Sequence, residues 1–252
     1  MRLVNAEILK LRRRRGLMIW SWLLTVGSVL VALIVLLVLH AVNPGHHGPA
    51  GGSTNLEHYV FLLSGLGDIA AILIGATAGT QDVSNGVFRD LVVTGRSRAT
   101  LFRVRAVGAL CVFLPILAVG FAVAIGSSFL FAGGLPNATG SEIGHYIAYT
   151  LAITVVNTIL AVSIAAFASS RVVVGVLIAW SAIVAQILLA INALGGVRKF
   201  IDVAAAEHFA TQHMSNTNNR IPMSSATAVL VLAVWAAIAL SAGRWWTNRV
   251  DA

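Results

Sequence analysis

Long apolar runs, each about the length of a membrane crossing, alternate with shorter polar connections along this chain. A hydrocarbon layer about 30 Å thick is spanned by roughly 20 residues of α-helix. Six runs meet that length, at 17–39, 59–80, 106–131, 146–168, 172–194 and 224–242. None shows the strict alternation of a barrel strand, so the pattern predicts an all-α integral membrane protein with six transmembrane helices. The first run exceeds the apolar core of a cleaved signal peptide, about 7 to 15 residues, and is read as a retained span. Pro115 lies inside the third run, where packing against neighbouring helices tolerates a kink.

The connections differ in character. Residues 1–15 read as an amphipathic helix lying along the membrane surface. Val4, Ile8 and Leu11 share its apolar face, and Arg2, Glu7, Lys10 and Arg12 to Arg15 turn to water and phosphate. The segments 41–58 and 133–145 contain no Lys or Arg and read as loops, whereas 81–105 is polar and carries five arginines. Residues 195–223 form the longest polar stretch, an external loop or re-entrant region. Its 3.6-residue pattern sets Val197, Ile201 and Ala204 opposite Lys199 and Asp202. The last span closes at Gly243 and Arg244, followed by the interfacial pair Trp245 and Trp246. No repeat of fixed period is present, so 1–252 is treated as one transmembrane domain.

Composition sharpens the class. Hydrophobic residues make up 58% of the chain and charged residues 10%, a balance that leaves a soluble domain too little polar surface. Cationic residues concentrate on one side of the predicted membrane. Six lie in 1–15, five in 81–105, one at Arg171, and two at Arg244 and Arg249, fourteen of the seventeen in all. Cytoplasmic loops carry that excess, so both termini are expected in the cytoplasm of a multi-pass plasma-membrane (cell inner membrane) protein. The single cysteine, Cys111, excludes an intrachain disulfide.

The absence of several motifs narrows the chemistry. No Gly precedes a Lys, so the chain holds no P-loop, and neither H-E-x-x-H nor G-x-S-x-G is present. No cofactor, metal site or nucleic-acid partner is expected in this chain, and it is not expected to be an enzyme. Gly65, Leu66, Gly67 and Asp68 do spell the G-x-G-D of intramembrane aspartyl proteases. That chemistry needs two carboxylates sharing a site. Asp82 and Asp90 belong to the cytoplasmic connection, and Glu57, Glu142, Asp202 and Glu207 fall in external loops, so no second intramembrane acid is expected.

Asp68 still requires a partner or water, because an acid at a helix centre costs about 2.5 to 3.5 kcal/mol to insert. Ser64, Asp68, Ala71, Gly75 and Gly79 share one stripe of the second span, with Gly75 and Gly79 forming a G-x-x-x-G pair. Two readings stand side by side: close packing with Asp68 hydrogen-bonded, or a cavity-lining acid that meets a cationic substrate or protons. Thr150, Thr154, Asn157 and Ala161 form a similar seam on the fourth span, read as packing. The seven histidines lie on or beside the external face, spread over three loops, and read as loop composition.

The connection after the second span carries a resemblance. Asp82, Gly86, Val87, Phe88, Arg89, Asp90 and Leu91, followed by Ser97, Arg98, Leu101 and Arg105, resemble the first intracellular loop of ABC-2 type transporter permeases. The opening Ala6, Glu7, Ile8, Leu9, Lys10 and Leu11 with its arginines is similar to that family's elbow helix. The ending Gly243, Arg244, Trp245, Trp246, Arg249 and Asp251 is similar to its tail. Asp82 stands where Glu is common, and Thr94 with Gly95 stands where Pro is frequent.

The resemblance implies the permease subunit of an ATP-binding-cassette exporter, paired with an identical or homologous second permease chain and set in membrane lipid. Two copies of a separate ATPase would carry the ATP and magnesium. It also implies a cytoplasmic coupling helix in 81–105, with Asp82, Gly86, Phe88, Arg89, Asp90, Leu91 and Arg98 at the ATPase contact and Glu7 and Lys10 in the flanking elbow. A solvated basic loop held at anionic headgroups is the plainer account of the same arginines. Ser64, Asp68, Gly75 and Gly79 are the candidate path or packing residues. An intramembrane protease and a non-transporting membrane anchor for an ATPase are the alternatives.

Overall fold

The computed structural model describes residues 2–84, 93, 95, 97–211 and 221–249. Its elements are helical throughout. Helix α1 (Arg2–Arg12) precedes six helices long and apolar enough to cross a membrane: α2 (Arg15–Val42), α3 (Ser53–Ser84), α4 (Arg98–Leu130), α5 (Gly140–Ile164), α6 (Ser170–Ala190) and α8 (Ser225–Arg249). A 3₁₀ segment (Asn192–Phe200) and the short helix α7 (Asp202–Glu207) fill the connection between α6 and α8. The chain is a multi-pass membrane protein.

Helix boundaries depart from the apolar runs because polar residues start several helices outside them. At α4 the Ser97 hydroxyl accepts from the Thr100 backbone N–H at 3.2 Å, so the arginine-bearing residues 98–105 form the first two turns of the span rather than a loop. At α5 the Thr139 hydroxyl accepts from the Glu142 N–H, and the Glu142 carboxylate accepts from the Thr139 N–H at 2.7 Å. This reciprocal cap puts Glu142 in the first turn of a helix, where 133–145 was expected to be a loop. Helix α3 begins at Ser53, six residues before the expected start. Gly51 and Gly52 donate to Phe131 O and Ser128 O, which pins the incoming chain to the end of α4. A Cβ on Gly51 would collide with that backbone, and Gly52 has φ +88°, so both positions require glycine. Helix α8 runs through Gly243 to Arg249, past the expected stop at 242. Gly243 is where α8 crosses the Phe102 ring; a Cβ there would lie 2.6 Å from Phe102 Cζ.

Helix α3 is the centre of the bundle. Its buried stripe Ser64, Asp68, Ala71, Gly75 and Gly79 faces α5. A Cβ on Gly75 would sit 2.7 Å from Thr158 O, and one on Gly79 would sit 2.7 Å from Val162 O and overlap Ala165 Cβ. The glycine pair therefore sets the closest approach of two backbones. Thr150, Thr154, Asn157 and Ala161 are buried on the facing side of α5. Thr154 and Thr158 donate back to Thr150 O and Thr154 O, so their hydroxyls are satisfied within the helix. By contrast α2, α6 and α8 turn Leu23, Val31, Ile34, Val38, Val176, Ile183, Leu230 and Ile238 outward. Such faces cost nothing against acyl chains.

Two spans contain a π-helical turn, Leu23–Gly27 in α2 and Trp180–Val184 in α6. The amphipathic face expected for 195–223 is kept only in part. Ile201 and Ala204 are buried as expected, but Val197 is exposed and Asp202 is buried with them, because α7 tucks its first turn against α6 instead of lying on a surface.

Candidate functional site

Two polar centres interrupt the apolar bundle, and α3 carries an acid to each of them. The first lies where α1, the end of α3 and the start of α4 meet. Asp82 divides its two carboxylate oxygens between two cations: Lys10 Nζ is 2.7 Å from Oδ1, and Arg105 Nη2 and Nε are 3.0 and 3.1 Å from Oδ2. Lys10 also pairs with Glu7, and Arg105 Nη1 donates to Gly79 O at 3.3 Å. Glu7, Asp82 and Arg105 are all buried. Two acids and two bases leave the cluster formally neutral, which is the condition for burying charge at tolerable cost. Burial pushes the Glu7 carboxyl above its ordinary range, with the Lys10 ammonium opposing the shift. Gly108 gives Glu7 its room, since a Cβ there would lie 2.7 Å from Glu7 Cγ.

This cluster corrects the surface reading of α1. Glu7 and Lys10 do not face water and headgroups; they turn into the protein, because Asp82 and Arg105 offer partners that a peptide on a membrane lacks. Arg98, at the start of α4, donates from Nη1 to Asn248 O at 3.1 Å, so the last turn of α8 is held at the same end of the bundle. Helix α1, the end of α3, the start of α4 and the last turn of α8 therefore meet at one end. Of the residues expected at an ATPase contact, Asp82 is an intrachain ion-pair acceptor and Arg98 a helix tether. Gly86, Phe88, Arg89, Asp90 and Leu91 lie outside the described residues.

The second centre is a cavity of about 720 Å³ between α3, α5, α6 and α7. Phe61, Ser64 and Asp68 line it from α3, Tyr149 from α5, Ser181 and Gln186 from α6, and Glu207 from α7. Asp68 is 5% exposed. Its Oδ2 accepts from Asn157 Nδ2 at 2.8 Å, while Asp68 Oδ1 and Asn157 Oδ1 are buried acceptors without a hydrogen-bond partner. Gln186 Nε2 donates to Glu207 Oε1 at 3.1 Å, and Trp180 Nε1 donates to Asp202 Oδ1 at 3.0 Å. These two bonds dock α7 onto α6. Within the π turn Trp180 reaches Asp202, while Ser181 and Ala182 line the cavity. Asp202 lies beyond the cavity wall, beside Asn157 and within electrostatic range of Asp68.

Asp68 shares its cavity with an acid from outside the six spans. Glu207 lies 13 residues beyond the expected end of the fifth span by sequence count, yet α7 folds back and brings it to the same cavity. Tyr149, Gln186 and Asp202 were also not singled out. For Asp202 the available signal was scarcity: the chain has only nine acids, so each one set near an apolar run merits a partner. Among the described residues, no group of three or more His, Cys, Asp or Glu side chains is arranged to hold a metal ion. No protein-family model matches the chain, and no curated protein matches it.

Proposed function

We propose that this protein is the permease subunit of an ATP-driven exporter, in which a separate ATP-binding-cassette subunit acts on the connection after α3. The observation that carries the reading is that one continuous helix, α3, links both polar centres. Asp82 stands in its last turn, at the start of the segment that resembles a coupling loop, and Asp68 stands in the cavity. Fourteen residues separate them, about 21 Å of helix at 1.5 Å per residue. The ion pairs bind α1, α3 and α4 into one body around that connection, so a displacement imposed there moves the wall of the cavity. Packed helices transmit such movements because interiors are not compressible. The ATPase contact itself rests on the resemblance of 82–105 to ABC-2 type permeases, as does the second permease chain, whereas the cytoplasmic position of the termini at the plasma membrane rests on the excess of Lys and Arg on one side.

The test is purification of the permease from its native membrane, with retained ATPase and substrate-stimulated hydrolysis as readouts. An ATP-binding-cassette subunit should co-elute. Phe88→Ala removes an apolar anchor and Arg89→Glu reverses a charge, and each should cut retention or stimulation several-fold while the permease stays monodisperse. Arg103→Ala, exposed on α4, is the control. Normal retention and normal stimulation in both variants would end the coupling assignment. Retention without any stimulation, whatever substrate is added, would leave a membrane anchor.

An intramembrane aspartyl hydrolase is the second reading, favoured by Glu207 lining the cavity that holds Asp68. Its defining feature is a proton shared between two carboxyl groups. Here Asp68 gives one oxygen to Asn157, and its other oxygen has no partner. The carboxylates are not joined in this arrangement, and the permease reading is preferred.

A further inference from the structure

We propose that the cavity between α3, α5, α6 and α7 is a binding site for an amphipathic organic cation, an alkyl- or arylammonium group whose charge is received by Asp68 and Glu207. The proposal rests on the permease reading for its role in transport, though not for binding itself. The volume, about 720 Å³, suits a molecule of drug-like size. Most of the lining is apolar, from Leu62, Leu66, Ile69, Ile153 and Ile178, and Ser64 and Asp68 are its buried polar groups. Among the described lining residues there are two carboxylates and no Lys, Arg or His.

The hydrogen-bond balance points to the sign of the ligand. Asp68, which lines the cavity, has in Oδ1 a buried acceptor that no donor serves. Leaving a buried acceptor unmade costs about 1 to 3 kcal/mol, more when it is charged. An ammonium group brings several N–H donors and the opposite charge together. A neutral ligand would bring donors without the charge, and an anion would add repulsion to both acids. Phe61 and Tyr149 also line the cavity, and aromatic rings favour a cation further. Phe61, Gly65 and Ala182 are exposed at the rim, so the mouth lies on the helical surface. An apolar body with one charged end fits such an entrance, as the body can rest in lipid while the charge moves to the acids.

The second use of Asp68, as a packing residue satisfied by Asn157, predicts something different. An Asn at 68 would still accept from Asn157, so packing alone gives no dependence on ligand charge. The experiment uses the full-length permease in lipid nanodiscs without any ATPase, and two probes that share one fluorescent body: dansylcadaverine, which carries a primary ammonium, and its N-acetyl derivative, which is uncharged. Fluorescence anisotropy should show dansylcadaverine binding at least about ten-fold tighter than the acetylated probe, the scale of one charge-assisted hydrogen bond. Asp68→Asn should remove that preference, and Glu207→Gln should reduce it. Ala182→Trp, which fills the rim, should weaken both probes equally. Glu142→Gln, which keeps its capping role outside the cavity, should change neither.

Equal affinity for the two probes in the wild-type protein would overturn the proposal, as would an unchanged preference in monodisperse Asp68→Asn protein. The outcome separates from the permease reading. Charge-selective binding in a chain that retains no ATPase would keep the site and discard the exporter. Stimulated hydrolysis with some other compound, together with equal binding of the two probes, would keep the exporter and discard the cation site.

Discussion

Lys10 reaches from the amino-terminal helix to within 2.7 Å of Asp82 at the far end of α3, 72 residues away in sequence. Arg105 takes the other oxygen of the same carboxylate. A segment whose sequence suits a membrane surface is thereby made part of the bundle.

Removing Asp82 takes from the buried Arg105 the carboxylate it is paired with. Asp82→Asn is expected to destabilise the protein by about 3 to 5 kcal/mol, the usual cost of breaking one side of a buried pair. Lys10→Ala should cost less, since Lys10 is partly exposed and Arg105 would still serve Asp82. Thermal unfolding in detergent, followed by tryptophan fluorescence, gives the order. If the two variants melt together, the cluster does not hold α1 in place.

The glycines of α3 make a graded prediction. Gly75→Val and Gly79→Val force α3 and α5 apart and should each cost about 1 to 3 kcal/mol or more. Gly65→Ala has open space around its Cβ and should leave folding unchanged. Monodisperse yield on size exclusion measures both. A tolerated Gly79→Val would refute the close crossing.

Asp202 predicts a dependence on pH. Burial raises its carboxyl above the ordinary range, with Trp180 and backbone N–H groups opposing the shift. A raised folded-state value means that the unfolded chain loses its proton first. Its contribution to stability is therefore full below the unfolded value and is lost as pH rises through the folded one. Asp202→Asn keeps an acceptor for Trp180 Nε1 and has no charge to bury. Its melting temperature relative to wild type should rise between pH 4 and pH 8, values chosen to span that range at about four units apart. A difference that is flat across this series, or falls, would contradict the burial argument.

Orientation is tested by labelling in a Cys111→Ala background. Ser141 and Asn248 are exposed at opposite ends of the bundle. An impermeant maleimide added to intact cells should modify Ser141→Cys and leave Asn248→Cys unmodified until the membrane is opened. The opposite pattern would invert the arginine-based topology.

Six crossings were legible in the sequence because the bilayer imposes a length on every apolar run, and that constraint is local. The packing seam of Gly75 and Gly79 was legible for the same reason, since one helix turn fixes which residues share a face. Helix ends were less so. Ser97 and Thr139 lie outside the apolar runs, and hydrogen bonds to Thr100 and Glu142, rather than hydropathy, decide that helices start beside them. Asp68 announced itself as an acid in a span, but its partner Asn157 lies 89 residues away and could not be read from spacing. Glu7 and Lys10 were assigned to water on the amphipathic pattern of α1 alone. Only the tertiary structure set Asp82 and Arg105 against them, and a nearby opposite charge outweighs a surface preference. Glu207 shows the same limit from the other direction, for its sequence neighbourhood is polar and its place in the cavity is decided by α7 docking through Trp180 and Gln186. The sequence by itself determined which segments enter the membrane, because transfer free energy adds up residue by residue. Which polar groups meet inside it was decided by the tertiary structure, because a hydrogen bond or ion pair depends on two positions at once.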